Sequence, residues 1–185
     1  MGLEKYSEVI GLPVICIDNG RKLGIVEEVI FCPKRKKVLG LLLERKSCHV
    51  RKKLLLARDI YEMGKDAVIV ADCSCLTDMK KAALLNELGD KGSVLGLRIF
   101  TRSGEDIGVV KDVLFDYQSG SIEGVEVSDG LLQDIITGRN ILPLFGKVEF
   151  GEENILVDKE AVEEMLSNGG GLKKKLFGTD EKTKP

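Results

Sequence analysis

Residues Gly24 to Phe31 read GIVEEVIF, and residues Gly108 to Phe115 read GVVKDVLF. The likeness spreads outward from these octets. IGLPVICIDNGRKLGIVEEVIFCPKRKKVLGLLLE aligns with LGLRIFTRSGEDIGVVKDVLFDYQSGSIEGVEVS, the second copy being one residue shorter in the early turn. Gly11 then pairs with Gly96, Gly24 with Gly108 and Gly40 with Gly124, and further on LLLARDIYEMGKDAVIV (54–70) matches ILPLFGKVEFGEENILV (141–157). One module is used twice.

Within each copy the hydrophobic period is that of strands. Val125 and Val127 flank Glu126 in strict alternation, the mark of a half-buried strand. Turn clusters (DNGRK, RSGED, YQSGS) separate such runs. The pattern predicts strands over 13–18, 22–32, 37–45, 48–56 and 67–71, then over 97–102, 106–116, 121–128, 139–144 and 154–157. Many short strands in so small a unit favour a closed barrel, because closure removes exposed edges. The octets add a detail. Val26 and Val29 are three apart, as are Val110 and Val113, whereas one face of a regular strand recurs at two or four. A bulge at Glu27-Glu28 and at Lys111-Asp112 restores the inward face and bends the strand, and Gly24 and Gly108 relieve crowding at the bend.

Helical spacing follows each copy. TDMKKAALLNEL (77–88) has Thr77 as N-cap, and DKEAVEEMLSNG (158–169) has Asp158 as N-cap with Val162, Met165 and Leu166 on one face. Beyond them, GGGLKKKLFGTDEKTKP has little to bury and reads as a disordered tail. The expected organisation is a first barrel over 1–75, a linker helix over 76–91, a second barrel with its short helix over 92–167, and a tail over 168–185. The fold class is all-β, two small barrels in tandem, each followed by a short α-helix.

The pattern of glycine, hydrophobic-x-x-Asp/Glu-Val-hydrophobic, a turn, hydrophobic-x-Gly-hydrophobic, then LP and G-x-x-hydrophobic-x-Val resembles the PRC-barrel domain. That domain forms the cytoplasmic part of the photosynthetic reaction centre H subunit and the C-terminal part of the ribosome maturation factor RimM. The tandem arrangement is similar to that of PRC-barrel proteins of spore-forming Firmicutes. The resemblance implies a small barrel that acts as an adaptor or protein-interaction module without catalytic residues. Two departures stand out: no membrane-spanning helix like that of the H subunit, and no additional N-terminal domain like that of the ribosome factor.

Composition narrows the function classes. No stretch reaches the roughly 18 uncharged apolar residues of a membrane helix, and the N-terminus lacks a signal-peptide core. Five cysteines spread through apolar strands fit a reducing compartment, so a cytoplasmic protein with free thiols is expected. The absence of Trp, with three Tyr and six Phe, leaves few platforms for stacking nucleic-acid bases. The net charge of −2 hides an asymmetry, because Arg21 to Arg58 holds 12 basic and 3 acidic residues.

That excess yields the main candidate site: Lys34, Arg35, Lys36 and Lys37 in one turn, with Arg51, Lys52 and Lys53 past the next strand. RNA or a ribosome, an acidic protein partner or an anionic membrane surface could use such a patch, the membrane least well supported. The plain alternative is a solvated turn whose lysines guard a strand edge. A second candidate is the insertion SDGLLQDIITGRN (128–140), where Leu131, Leu132, Ile135 and Ile136 are apolar at near-helical spacing. It could close its own barrel or contact a second subunit in a homo-oligomer, with Asp129 and Arg139 bracing its base. Cys48, His49, Cys73 and Cys75 lack zinc-site spacing, and neighbours on a strand face opposite ways, so strand-filling thiols are expected. No nucleophile elbow, phosphate loop or converging acid pair is present. The expectation is no enzyme, no cofactor, no metal and no small-molecule substrate.

Overall fold

The computed structural model describes residues 3–44, 53–79, 92–128, 140–144 and 148–167. The first copy contributes β1 (Leu3–Lys5), a single helical turn α1 (Tyr6–Val9), β2 (Pro13–Cys16), β3 (Lys22–Cys32), β4 (Lys37–Glu44), β5 (Lys53–Leu56), β6 (Ile60–Met63), β7 (Val68–Val70) and β8 (Leu76–Asp78). The second contributes β9 (Arg98–Thr101), β10 (Asp106–Asp116), β11 (Ser121–Ser128), β12 (Asn140–Pro143), β13 (Val148–Phe150), β14 (Asn154–Val157) and the helix α2 (Lys159–Ser167). The all-β expectation holds. Ten strands fall where the period-2 pattern put them; the short β1, β6, β8 and β13 are additions.

Each copy is a curled sheet of the same order, β6-β7-β2-β3-β4-β5 and β13-β14-β9-β10-β11-β12. Pairing is antiparallel except at β2·β7 and β9·β14, which are parallel. Both bulges are present: the register slips between Val26 and Glu28 against β4, and between Val110 and Asp112 against β11. The valine pairs on either side accordingly all face inward, with Val26, Val29, Val110 and Val113 each at most 2% exposed. The glycine of each octet sits under a neighbouring backbone. A Cβ at Gly108, whose φ is +130°, would lie 2.4 Å from Ser128 O, and one at Gly24 would lie 2.9 Å from Glu44 O.

Thr77 corrects one expectation. It lies in β8, which pairs with β5 through Leu54↔Thr77, so it does not cap a helix. Alternating Leu76, Thr77 and Asp78 extend easily, and the β5 edge offers free backbone partners, which outweighs a capping tendency. The remainder of the expected linker helix lies outside the described residues. At the end of the second copy, α2 forms as predicted and follows Asp158, whose carboxylate accepts from Arg102 Nε at 2.7 Å. Among the described residues no ladder joins β5 to β6, so the first copy is a curled half-barrel, its β5 edge taken by β8.

The copies meet around a pseudo-two-fold axis. Lys37 in β4 pairs with Ser121 in β11, and these are equivalent positions of the repeat. Val38 N donates to Gly120 O at 2.8 Å, and the equivalent Ile122 N donates to Lys36 O at 2.9 Å. The lead segments cross over as well: β1 pairs with β10 of the second copy, while Gly92 of the second bridges to Phe31 in β3. Packing follows the same logic, since one hydrophobic cluster runs through Val14, Leu41 and Val68 of the first copy into Val113, Leu142 and Ile155 of the second. A smaller cluster of Ile30, Leu42, Leu54 and Leu56 lies apart from it, with Leu39 and Met79 against it.

Candidate functional site

The basic turn sits on the axis that joins the copies. Pro33 to Arg35 form a 3-10 turn, in which proline's missing N–H costs nothing, and Lys36 follows in the left-handed conformation with φ 51°. The equivalent residue Gly120 has φ 68°. The turn geometry is therefore common to both copies, while the charge is confined to the first.

The four cations have different surroundings. Lys36 Nζ donates to Leu144 O of the second copy at 3.3 Å, and Lys37 Nζ donates to Ser119 O at 2.9 Å and Ser121 Oγ at 3.0 Å. These two lysines hold the copies together. Lys34 and Arg35 are exposed, and Arg35 has no hydrogen-bond or ion-pair partner among the described residues. Lys53 is elsewhere. It opposes Leu43 near the far end of β4, about 20 Å from Lys37 at the strand rise of ~3.4 Å per residue, so it does not join the turn. Arg51 and Lys52 lie outside the described residues.

What the sequence did not single out is Arg58. Antiparallel pairing of Leu56 with Gly40 returns the chain to the turn end of β4, and Arg58 follows two residues later. Arg35, Lys37 and Arg58 then line one groove of about 320 Å³, with Val38, Leu39, Leu56 and Ala57 as its apolar wall and Tyr117 to Gly120 of the second copy opposite. Among the described residues no Asp or Glu lines it. The hairpin register was the available signal, since it alone carries residue 58 to residue 37.

The buried carboxylates are committed to structure. Asp112, 2% exposed, accepts from Ser7 N at 3.1 Å and from Ser7 Oγ at 2.5 Å, and Glu126, 6% exposed, pairs with Lys5. Both ties run from the lead segment of the first copy to the second. Tyr117 returns one, its hydroxyl donating to Glu62 Oε1 at 3.0 Å. Arg102 bridges Glu149 at 2.8 Å and Asp158 at 2.7 Å, and those two anions hold its guanidinium firmly charged.

The thiols occupy strand and turn positions. Cys16 and Cys32 are buried; Cys73 and Cys75 are half-buried in the turn after β7. Hydrogen bonding to the Cys73 thiol, then burial, raises the Cys16 thiol, and burial reinforced by the Asp59 charge pushes Cys75 up to about 11. Cys48 and His49 lie outside the described residues, as do Asp129, Leu131, Leu132, Ile135, Ile136 and Arg139 of the apolar insertion. Among the described residues no three His, Cys, Asp or Glu side chains are grouped to hold a metal, and no helix is long and apolar enough to cross a membrane.

No curated protein matches the chain. The PRC-barrel domain matches it twice, over residues 1–72 and 92–163, the two copies seen in the fold. PRC-barrel domains are in general non-catalytic interaction modules. On those two matches, which together span most of its length, the chain belongs to the PRC-barrel family.

Proposed function

We propose that this chain is a non-catalytic, cytoplasmic adaptor that binds a protein partner through a surface assembled from both of its barrels. The observation that supports this best is the placement of the basic turn: two of its lysines fasten the copies together, and the others project from the join. An interaction surface built across a packed junction needs no backbone reordering on binding, which leaves only the side-chain ordering cost. The buried acids point the same way, because Asp112 and Glu126 are engaged by Ser7 and Lys5. A second feature, the apolar insertion around Leu132 and Ile135, is the proposed contact for self-association.

Recognition of RNA or of a ribosome is the competing reading. It draws on the same turn, yet with Lys36 and Lys37 tied to the second copy the cationic track is short, and phosphate recognition needs several free cations. Affinity capture from native cells with the tagged full-length chain tests the proposal. A discrete protein partner that survives nuclease treatment is expected. Capture abolished by nuclease, or no protein enriched over the tag alone, contradicts it.

A further inference from the structure

We infer that the groove between the barrels, lined by Arg35, Lys37 and Arg58, is the docking site for an acidic peptide segment of the partner. The inference rests on the adaptor reading and names the partner's chemistry. Two observations converge on it. The groove carries three cations, of which Lys37 already donates to Ser119 and Ser121 and Arg58 is also engaged, and among the described residues no carboxylate lines it, on a chain whose net charge is −2. A local excess of this kind can hold a short anion through charge-assisted hydrogen bonds. Arg35 is exposed and unpartnered among the described residues, so its planar donor fork is available to a carboxylate.

The walls choose peptide over nucleic acid. One side is aliphatic, formed by Val38, Leu39, Leu56 and Ala57, which suits alternate apolar side chains of an extended segment. The aromatic ring present, Tyr117, is 5% exposed with its hydroxyl held by Glu62, so it offers no face on which a base could stack. The volume of about 320 Å³ takes a few residues at most.

The pseudo-two-fold axis would ordinarily generate a second, equivalent groove. It does not do so here. The positions equivalent to Arg35 and Lys37 are Ser119 and Ser121, so this arrangement of cations beside an aliphatic wall is not repeated; on the equivalent side Lys36 is turned to Leu144 O. Both copies contribute to the groove, and one peptide per chain is the proposed occupancy.

The test is a titration of the isotopically labelled full-length chain, followed by amide chemical shifts. The probe is a heptapeptide of alternating glutamate and leucine with uncharged ends. Its controls are the glutamine counterpart and a 12-nucleotide single-stranded RNA. The expected result is saturable one-to-one binding, with shifts concentrated at Leu39, Ala57, Ser119 and Gly120. Affinity should be at least tenfold weaker for the glutamine peptide and for Arg35→Glu, which lies on the surface and leaves the spectrum otherwise intact. Arg58→Glu should weaken it comparably. No shift at those amides, equal affinity for the glutamine peptide, or tighter binding of the RNA at the same amides would overturn the inference. If it is overturned while affinity capture still returns a nuclease-resistant protein partner with Arg35→Glu, the adaptor reading stands and the partner docks elsewhere.

Discussion

Phe31 and Phe115 occupy the same position in the two copies and meet each other, ring edge to ring face, with centroids 6.5 Å apart and planes at 79°. Both are at most 3% exposed. Contact between equivalent residues is the signature of a two-fold interface, normally formed between two subunits. Here one chain supplies both halves. Either Phe→Ala change removes a large side chain from the shared core and should cost about 3–5 kcal/mol by urea unfolding. The double variant should lose less than the sum, by roughly 0.5–1.5 kcal/mol, the coupling of an edge-to-face pair. Strict additivity would show that the rings act independently.

The lead segment ties the copies by polar contacts. The first turn of α1 has no side-chain cap from Lys5, and Asp112 of the second copy takes the Ser7 amide in its place. Asp112→Ala should destabilise by about 1–3 kcal/mol, because it removes a buried acceptor used by the Ser7 amide and hydroxyl and by the buried Val113 amide. Ser7→Ala should cost about 1 kcal/mol, since the carboxylate keeps its backbone donors. Equilibrium unfolding of both variants checks the order.

The close approach of strands at Gly40 gives a graded series. A Cβ there would lie 2.2 Å from Leu55 O, whereas at the equivalent Gly124 the nearest atom, Leu142 O, is 3.2 Å away. Gly40→Ala should therefore cost several kcal/mol, on the order of 3, and Gly124→Ala about 1. Melting temperatures in the reverse order would contradict the register of β4 against β5.

Cys75 carries a pH dependence whose sign follows from its surroundings. Its thiol is raised from 9.0 to about 11 by burial and the Asp59 charge, so the folded protein holds this proton after the unfolded chain has lost it. The contribution to stability is complete below pH 9 and falls as pH rises from 9 towards 11. Cys75→Ser should flatten that part of the profile. Alkylation of Cys75 at pH 8 should run about a hundredfold slower than that of a free thiol, in proportion to its thiolate fraction.

Most of the fold could be read from local pattern, because strand period, paired glycines and the three-residue valine spacing are properties of neighbours in the chain. The bulges at Glu27 and Lys111 show this well. The join between the copies was not legible. Nothing near Lys37 announces that it pairs with Ser121, and nothing in Leu3-Glu4-Lys5 announces a strand completed by β10. Both depend on contacts across the axis. The candidate site divided along the same line: the turn lysines stand out as a run of charge, but Lys36 and Lys37 are held by the second copy, Lys53 lies at the far end of β4, and Arg58 arrives through strand register.

The claim that the two copies form one body is tested most directly by amide hydrogen exchange at Val38 and Ile122, whose N–H groups donate across the axis to Gly120 and Lys36. The structure predicts that both exchange only through global unfolding, as slowly as the core amide of Val113 and with the same denaturant dependence. Exchange of Val38 and Ile122 at the rates of exposed strand edges, while Val113 remains protected, would show that the barrels separate in solution and would contradict the account.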